Sequence, residues 1–252
     1  MEILQASPSR RFDVVFCDVD GCLMPEDAHA ADLPALAQVA SYNRMALKKR
    51  DRPVIILCTG RPQPYAEAVC RAIGAPLAIC ENGAWIYDFG AHRWHLDPQI
   101  TADDRAALRS LQGWVEVELG PRGCFLQLGK HAAVTIFHDD VDRLRREVVP
   151  MLEALIAERN WPMRVSMTWT CINVDLAHVS KGAAISRLIE QHALSRHRLA
   201  GIGDTAGDIF IRQQVAWFGC PANAAEEIRR CADAVAARPL AQGVLELLNQ
   251  LA

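Results

Sequence analysis

Short runs of apolar residues recur along the first 84 positions, and a polar or glycine-bearing turn follows each run. Such runs are typical of strands buried on both faces of a parallel sheet. Segments with apolar residues at helical spacing lie between them. The predicted strands are Val14–Phe16, Val54–Cys58 and Pro76–Cys80, and the predicted helices are Leu33–Arg50 and Pro64–Ile73. This alternation predicts an α/β fold with a doubly wound parallel sheet, whose ligands bind at the carboxyl ends of the strands.

From about Trp85 the pattern changes to short alternating segments, which are typical of antiparallel strands. This order of elements predicts an inserted α+β domain with two helices, the second interrupted near Pro150. The predicted elements are a hairpin of Trp85–Asp88 with His92–Leu96, a helix Asp103–Leu111, a strand pair of Val115–Leu119 with Cys124–Leu128, a strand Ala133–Phe137, a helix Val141–Glu158, and a closing pair of Arg164–Met167 with Thr170–Asp175.

The strand–helix alternation resumes at Ser180, which we expect to cap a helix running from Lys181 to His192. The later predicted elements are strands at Leu199–Gly203, Val215–Phe218 and Asp233–Ala236 and helices at Asn223–Arg230 and Gln242–Leu251. We therefore assign residues 1–84 and 179–252 to an α/β core and residues 85–178 to the inserted domain.

Composition and charge narrow the range of functions. The net charge is −3 without a basic tract, so nucleic acid is not an expected partner. No apolar stretch approaches the roughly 18 residues of a membrane span, and the sequence MEILQASPSRR at the start lacks an export signal, so we expect a cytoplasmic protein without a membrane partner. Nine scattered cysteines without a CxxC pair indicate reduced thiols. No pattern indicates an oligomeric state.

Two carboxylates, Asp18 and Asp20, follow the first predicted strand. In extended chain, residues i and i+2 point the same way, so both side chains should face one pocket. Gly21 then permits a sharp turn. Two like charges this close repel unless a cation lies between them. Mg²⁺, a hard dication that prefers oxygen ligands, meets that need.

Similar polar loops lie elsewhere in the α/β pattern, and a doubly wound sheet can bring them to one crevice. They read DVDGC from Asp18, TGR from Thr59, SKG from Ser180 and GDTAGD from Gly203. Carboxylates alone would repel a phosphate, but a phosphate fits when Mg²⁺ bridges them and Lys181, Thr59 and turn amides donate. A carboxylate can then form an aspartyl-phosphate while its neighbour protonates the departing oxygen.

These four loops, in this order, resemble the motifs of the haloacid dehalogenase superfamily of phosphatases. The insertion between TGR and SKG, with ENGA from Glu81 before it, resembles the Cof-type or sugar-phosphatase branch, subfamily IIB, with a C2 cap. The motifs span about residues 12–84 and 179–248, and the insertion resembles the branch by position and order of elements only. The resemblance implies a Mg²⁺-dependent phosphomonoester hydrolase, and the branch implies a sugar phosphate as its small-molecule substrate.

The resemblance also implies residue roles. Asp18 is expected to be the nucleophile and Asp20 the general acid and base. Thr59, in the loop with Gly60, is expected to hold the phosphoryl oxygens, and Lys181 to offset the charge of nucleophile and phosphate. The expected metal-site residues are Asp18, Asp20 through its backbone carbonyl, Asp204, and Asp208 as an indirect support.

Further candidates concern substrate contact. Asn82 follows the third predicted strand and should lie beside the crevice. Specificity is expected in the inserted domain, where the polar candidates are Arg93, Arg122, Lys130, His131 and Arg164, and the aromatic candidates in or next to it are Trp85, Trp114, Trp161 and Trp169. Two positions depart from the branch: Cys22 replaces the usual threonine after DxDG, and Gly207 replaces the asparagine of GDxxND.

Two other functions are compatible with the same core residues. A phosphomutase of the same superfamily would transfer the phosphoryl group to a sugar instead of releasing phosphate. A non-catalytic binding module could keep the fold without turnover. The intact Asp20 argues against the binding module, because a binder needs no general acid.

Overall fold

The computed structural model describes residue 4 and residues 7–252. In this part of the chain the strands are β1 Val14–Cys17, β2 Val54–Cys58, β3 Leu77–Cys80, β4 Trp85–Asp88, β5 Arg93–Leu96, β6 Phe125–Leu126, β7 Ala133–Phe137, β8 Met163–Met167, β9 Cys171–Leu176, β10 Leu199–Ile202, β11 Trp217–Cys220 and β12 Ala234–Val235. The helices are α1 Leu33–Lys49, α2 Gln63–Ile73, α3 Ala102–Trp114, α4 Val141–Arg143, α5 Val149–Glu158, α6 Lys181–His192, α7 Ile209–Arg212, α8 Glu226–Cys231 and α9 Leu240–Gln250.

The larger sheet has the strand order β12-β11-β10-β1-β2-β3-β4-β5, and its first six strands are parallel. Because β1 lies inside the sheet, Val14 pairs with Leu199 on one side and Val54 on the other. Successive residues of β1 face opposite helical layers: Val15 packs with α1, α2 and α9, whereas Phe16 packs with α6, α7 and α8. The predicted doubly wound α/β fold is confirmed.

The hairpin of β4 and β5 extends this larger sheet. β4 pairs antiparallel with β3, with Ile86 opposite Ile79, and β5 forms the edge. Tyr87 is fully buried with residues of α2. This hairpin was predicted to belong to the inserted domain of residues 85–178, and its ladder hydrogen bonds to β3 correct that boundary. The inserted domain begins after Leu96.

The inserted domain is built on a second, antiparallel sheet with the order β6-β7-β9-β8. Side chains alternate between the faces of a strand. In β9, Ile172 and Val174 pack against α3 and α5, whereas Asn173 and Asp175 line a crevice between this sheet and the larger one. One face is therefore apolar and covered by helices, and the other is polar and faces the core.

The predicted strand Val115–Leu119 is wrong. This segment continues α3 as a wide helical turn, which buries Val115 and Leu119 and leaves Val117 exposed. Residues four apart share a helix face, so the helical path places two of the three apolar side chains against the core. The proposed partner strand shrinks to β6.

Other predictions of local structure hold with small shifts. A wide turn at Leu144–Val148 separates α4 from α5, and Pro150 lies in the first turn of α5, where its missing N–H is tolerated. The Ser180 hydroxyl caps α6 by accepting from the amide of Ala183 at 3.1 Å.

All nine cysteines are free. Within residues 4 and 7–252, no helix has the length and apolarity needed to cross a membrane.

Candidate active site

Four polar residues from separate loops lie at the carboxyl ends of the central strands or at the start of a helix. Asp18 follows β1, Thr59 follows β2, and Asp204 lies two residues after β10, while Lys181 opens α6. Each is at most 7% exposed. Asp18, Lys181 and Asp204 come together although they lie far apart in sequence.

Lys181 is the centre of an ionic network. Its Nζ lies 3.0 Å from an oxygen of Asp18 and 2.7 Å from an oxygen of Asp208. The other oxygen of Asp208 accepts from the amides of Asp204 and Thr205 at 2.9 and 3.0 Å. Burial alone would lower the pKa of Lys181, but the Asp18 and Asp208 carboxylates raise it well above its ordinary value. Asp208 therefore orients both the lysine and the loop that carries Asp204.

One carboxylate oxygen from each of Asp18, Asp204 and Asp208 lies within 4.8 Å of the other two. Gly21, with φ of 75°, makes this approach possible, because a Cβ there would lie 2.0 Å from the Asp204 carboxylate. Burial, and then the Asp208 carboxylate, raise the pKa of Asp18 to about 7 and that of Asp204 to about 9. Three buried acids facing one ammonium group form a donor set that fits Mg²⁺.

Asp20 is bound differently from the other three acids. Its two carboxylate oxygens accept hydrogen bonds from the Arg61 guanidinium at 2.9 and 2.7 Å, and Arg61 lies over the ring of Tyr65. The side chain of Asp20 is outside the carboxylate cluster. A ligand role of Asp20 through its backbone carbonyl stays a prediction.

The loops after β2 and β3 pack tightly against each other. The Thr59 hydroxyl accepts from the amide of Arg61 at 3.1 Å, and a Cβ on Gly60 would lie 2.9 Å from the Asn82 side-chain oxygen. The Asn82 amide group donates to both oxygens of Asp175, at 3.2 and 3.1 Å. Asn82 therefore lines the crevice, as predicted from its position, and also links the core to β9.

A cavity of about 730 Å³ lies between these loops and the polar face of the inserted sheet. Its core wall includes Asp18, Asp20 and Lys181. The inserted domain contributes alternate residues of three strands: Thr135 and Phe137 from β7, Asn173 and Asp175 from β9, and Arg164 and Ser166 from β8.

The cavity separates the predicted specificity candidates into two groups. Lys130, Arg164 and Trp169 line it, whereas Arg93, Arg122 and His131 are not among its lining residues. The other three tryptophan candidates, Trp85, Trp114 and Trp161, are partly buried and pack against the hydrophobic clusters.

Three further residues make contacts at the site that the sequence pattern does not predict. Arg61 belongs to the TGR turn, and its position directly after Thr59 and Gly60 is the sequence feature that places it near the site. Asp175 lies on the same face of β9 as Asn173, and this alternation of polar residues is visible in the sequence. Glu81 is 1% exposed and accepts from the amides of His131 and Ala132, so it fastens the inserted domain to the loop after β3.

The two departures from the motif pattern have different surroundings. Cys22 is fully buried with its Sγ 3.7 Å from an Asp204 oxygen, as expected for a small packing residue. Gly207 lines the cavity, and a Cβ there would meet the Thr205 hydroxyl at an ordinary 3.7 Å. Space therefore does not require glycine at position 207.

Comparison with known proteins adds to this geometry. A family model described as haloacid dehalogenase-like hydrolase matches residues 15–108 and 134–248. A phosphoglycolate phosphatase of Archaeoglobus fulgidus is 31% identical over 213 residues, which is 82% of this chain and 86% of that protein. A phosphoglycolate phosphatase of Methanospirillum hungatei is 24% identical over 236 residues, 93% of this chain and 94% of that protein.

The fold is also similar to that of a solved structure. The sucrose-phosphatase of Synechocystis sp. PCC6803, in complex with sucrose and phosphate, superposes with a TM-score of 0.67 at 18% identity. The match covers 96% of this chain and 98% of that one. At this identity the likeness shows the shared fold, including the inserted domain.

Proposed function

The chain belongs to the haloacid dehalogenase-like hydrolases, and from this membership we propose that it hydrolyses the phosphomonoester of a small metabolite with Mg²⁺ as its cofactor. One observation carries the proposal: Lys181 joins Asp18 and Asp208 beside Asp204, at the base of a cavity. Bound there by Asp18, Asp204 and the carbonyl of Asp20, with Asp208 in support, Mg²⁺ would supply positive charge for two approaching anions.

In the proposed reaction, an Asp18 oxygen attacks phosphorus and the bond to the ester oxygen breaks. Asp20 gives its proton to that departing oxygen, and the phosphoryl group stays on Asp18 as an acyl phosphate. Asp20 then takes a proton from water, which attacks the phosphorus and regenerates Asp18. Lys181 offsets the charge of the nucleophile and the phosphoryl group, and the Thr59 hydroxyl holds the phosphoryl oxygens by hydrogen bonding.

Arg61 adds a requirement to this sequence. It holds both oxygens of the Asp20 carboxylate. Proton transfer needs one of these oxygens within hydrogen-bond reach of the departing group. The Arg61 guanidinium must therefore leave one lone-pair position of an Asp20 oxygen open to the departing group.

Two substrate classes are candidates for the proposed activity. The relatives are named for phosphoglycolate, the phosphate ester of a small hydroxy acid. A sugar phosphate, the class expected from the branch resemblance, is the second candidate, because Thr135, Ser166 and Asn173 offer the cavity hydrogen-bonding groups that suit sugar hydroxyls.

The test is release of phosphate from p-nitrophenyl phosphate with and without Mg²⁺. Asp18→Asn keeps the shape of the side chain but removes the nucleophile, and we expect activity to fall by at least about a thousandfold. Asp103→Asn, an exposed position in α3, is the matched control and should behave as wild type. Full activity of Asp18→Asn would overturn the mechanism.

Two outcomes distinguish the alternative functions. Transfer of the phosphoryl group to an added sugar without phosphate release would indicate a phosphomutase. Saturable binding of phosphorylated compounds without turnover of any of them would indicate the binding module. A screen of phosphorylated hydroxy acids and sugars for phosphate release covers both outcomes and ranks the two substrate classes.

A further inference from the structure

The cavity is lined by five cationic side chains, and four of them lie beside carboxylates. These pairs are Arg61 with Asp20, Arg145 with Asp142, Arg164 with Asp175 at 3.8 Å, and Lys181 with Asp18 and Asp208. Lys130 is the fifth. Its Nζ donates to the Thr135 hydroxyl and, at 3.4 Å, to the Asn173 side-chain oxygen. Across the described residues, no ion pair within 4 Å involves Lys130.

Lys130 is also buried and held in place from both sides. It is 7% exposed. The preceding Gly129, with φ of 84°, packs on the core, where a Cβ would lie 3.7 Å from that of Pro62. The amides that follow, of His131 and Ala132, donate to the Glu81 carboxylate at 3.1 and 2.7 Å. The ammonium group is therefore held in a fixed position by the backbone on both sides of Lys130.

Two acids lie near Lys130, but each has other partners. Burial lowers the pKa of Lys130 below its ordinary value, and the Asp175 and Glu81 carboxylates oppose this only in part. Asp175 accepts from Asn82, and Glu81 accepts from two backbone amides. A buried ammonium group whose hydrogen-bond acceptors are neutral is poorly compensated, and an anionic ligand would compensate it.

We infer that Lys130 binds a carboxylate on the leaving group of the substrate, so that the preferred substrates are phosphomonoesters of small hydroxy acids. The inference rests on the proposed phosphatase function, since that function places the phosphate against Asp18 and Lys181. Lys130 lines the same cavity from the inserted domain. Thr135 and Asn173 hold the amine in position and leave its third proton for the ligand.

The test compares two substrates that differ in one group. 2-Phosphoglycolate carries a carboxylate, and 2-hydroxyethyl phosphate carries a hydroxymethyl group in its place. The wild-type protein should favour 2-phosphoglycolate in kcat/KM by about tenfold or more. Lys130→Met should reduce that ratio by about tenfold to a hundredfold, the range expected for a charge-assisted hydrogen bond. Lys130→Arg should restore part of it, and Lys48→Met, exposed in α1, is the matched control.

The results separate this inference from the proposed function. A wild-type ratio near one, or an equal loss on both substrates in Lys130→Met, would overturn the role of Lys130 while phosphatase activity stands. Failure to hydrolyse any ester, p-nitrophenyl phosphate included, would overturn the proposed function. In that case binding of the same two compounds to Asp18→Asn and to its Lys130→Met double variant decides the inference, which requires tighter binding of 2-phosphoglycolate that depends on Lys130.

Discussion

Three buried carboxylates share one ammonium group at the end of the central sheet, and this imbalance affects stability as well as chemistry. Burial and mutual repulsion raise the pKa of Asp18 to about 7 and that of Asp204 to about 9. In the unfolded chain both groups would titrate near pH 4. Between pH 4 and pH 9 the folded, metal-free protein therefore binds more protons at these sites than the unfolded chain does.

The metal-free protein should consequently lose stability as the pH rises through this window. Stability falls with pH wherever the folded state binds more protons, so these two groups contribute least above pH 9. The urea midpoint, measured in EDTA from pH 5 to pH 9, should fall more steeply for wild type than for Asp204→Asn, which cannot ionise at that position. Mg²⁺ at about 100 times its Kd should add about 2.7 kcal/mol.

Identical pH slopes for wild type and Asp204→Asn would show that the Asp204 carboxyl does not titrate in this way. An equal effect of Mg²⁺ on both proteins would show that Asp204 is not a ligand. The exposed Asp103→Asn serves as the control, because it removes a carboxylate that has no place in the cluster.

At the scale of single residues, the residues with candidate chemistry can be recognised in the sequence, but the contacts between them cannot. Asp18, Thr59, Lys181 and Asp204 are recognisable because each follows a buried strand or opens a helix. The pairing of Arg61 with Asp20 joins two loops 41 positions apart and leaves no periodic signal in either of them. Only the register of β1 against β2 brings these two loops together.

Helix α6 carries Lys181 in its first turn, so the cap of this helix supports the site. The Ser180 hydroxyl accepts from the Ala183 amide. Ser180→Ala should destabilise the protein by about 1 kcal/mol, as measured by urea unfolding. Ser195→Ala is the control, because Ser195 precedes a short helical turn without a side-chain capping bond. Equal stability of the two variants would show that the cap contributes nothing.

Among the elements, strands buried on both faces were predicted well because a continuous apolar run has few alternatives. The segment Val115–Leu119 was mispredicted because VEVEL fits both a period of two and a helix that buries only Val115 and Leu119. Because α3 leads into this segment without a break, the segment continues as a helix. The hairpin of β4 and β5 was found but given to the wrong sheet, since local alternation does not specify a partner strand.

At the scale of the whole molecule, the inserted sheet works as one wall of the active-site cavity. Its apolar face packs against the helices of its own domain, so the polar face is turned toward the core. The alternation in β7, β8 and β9 is visible in the sequence, but the side that faces the core depends on how the two domains meet. Contacts at that junction therefore determine which residues can meet a substrate.

Arg187 of α6 ties the core to the start of the inserted domain. Its guanidinium pairs with Asp97, which is 1% exposed, and donates to the carbonyl of Gly83 at 2.7 Å. Arg187→Met would leave the Asp97 carboxylate buried without its cation, and we expect a loss of about 3 to 5 kcal/mol in urea unfolding. The exposed Arg109→Met should show no such loss.

A second substitution separates the charge effect from simple loss of packing. In the double variant Arg187→Met with Asp97→Asn, the buried negative charge is gone, and the neutral amide can still accept the Gln99 amide that Asp97 now binds at 3.0 Å. We therefore expect the double variant to be more stable than Arg187→Met alone, because the two positions are in contact and their effects do not add. Strictly additive losses would show that Arg187 acts through its apolar stem and not through the buried ion pair.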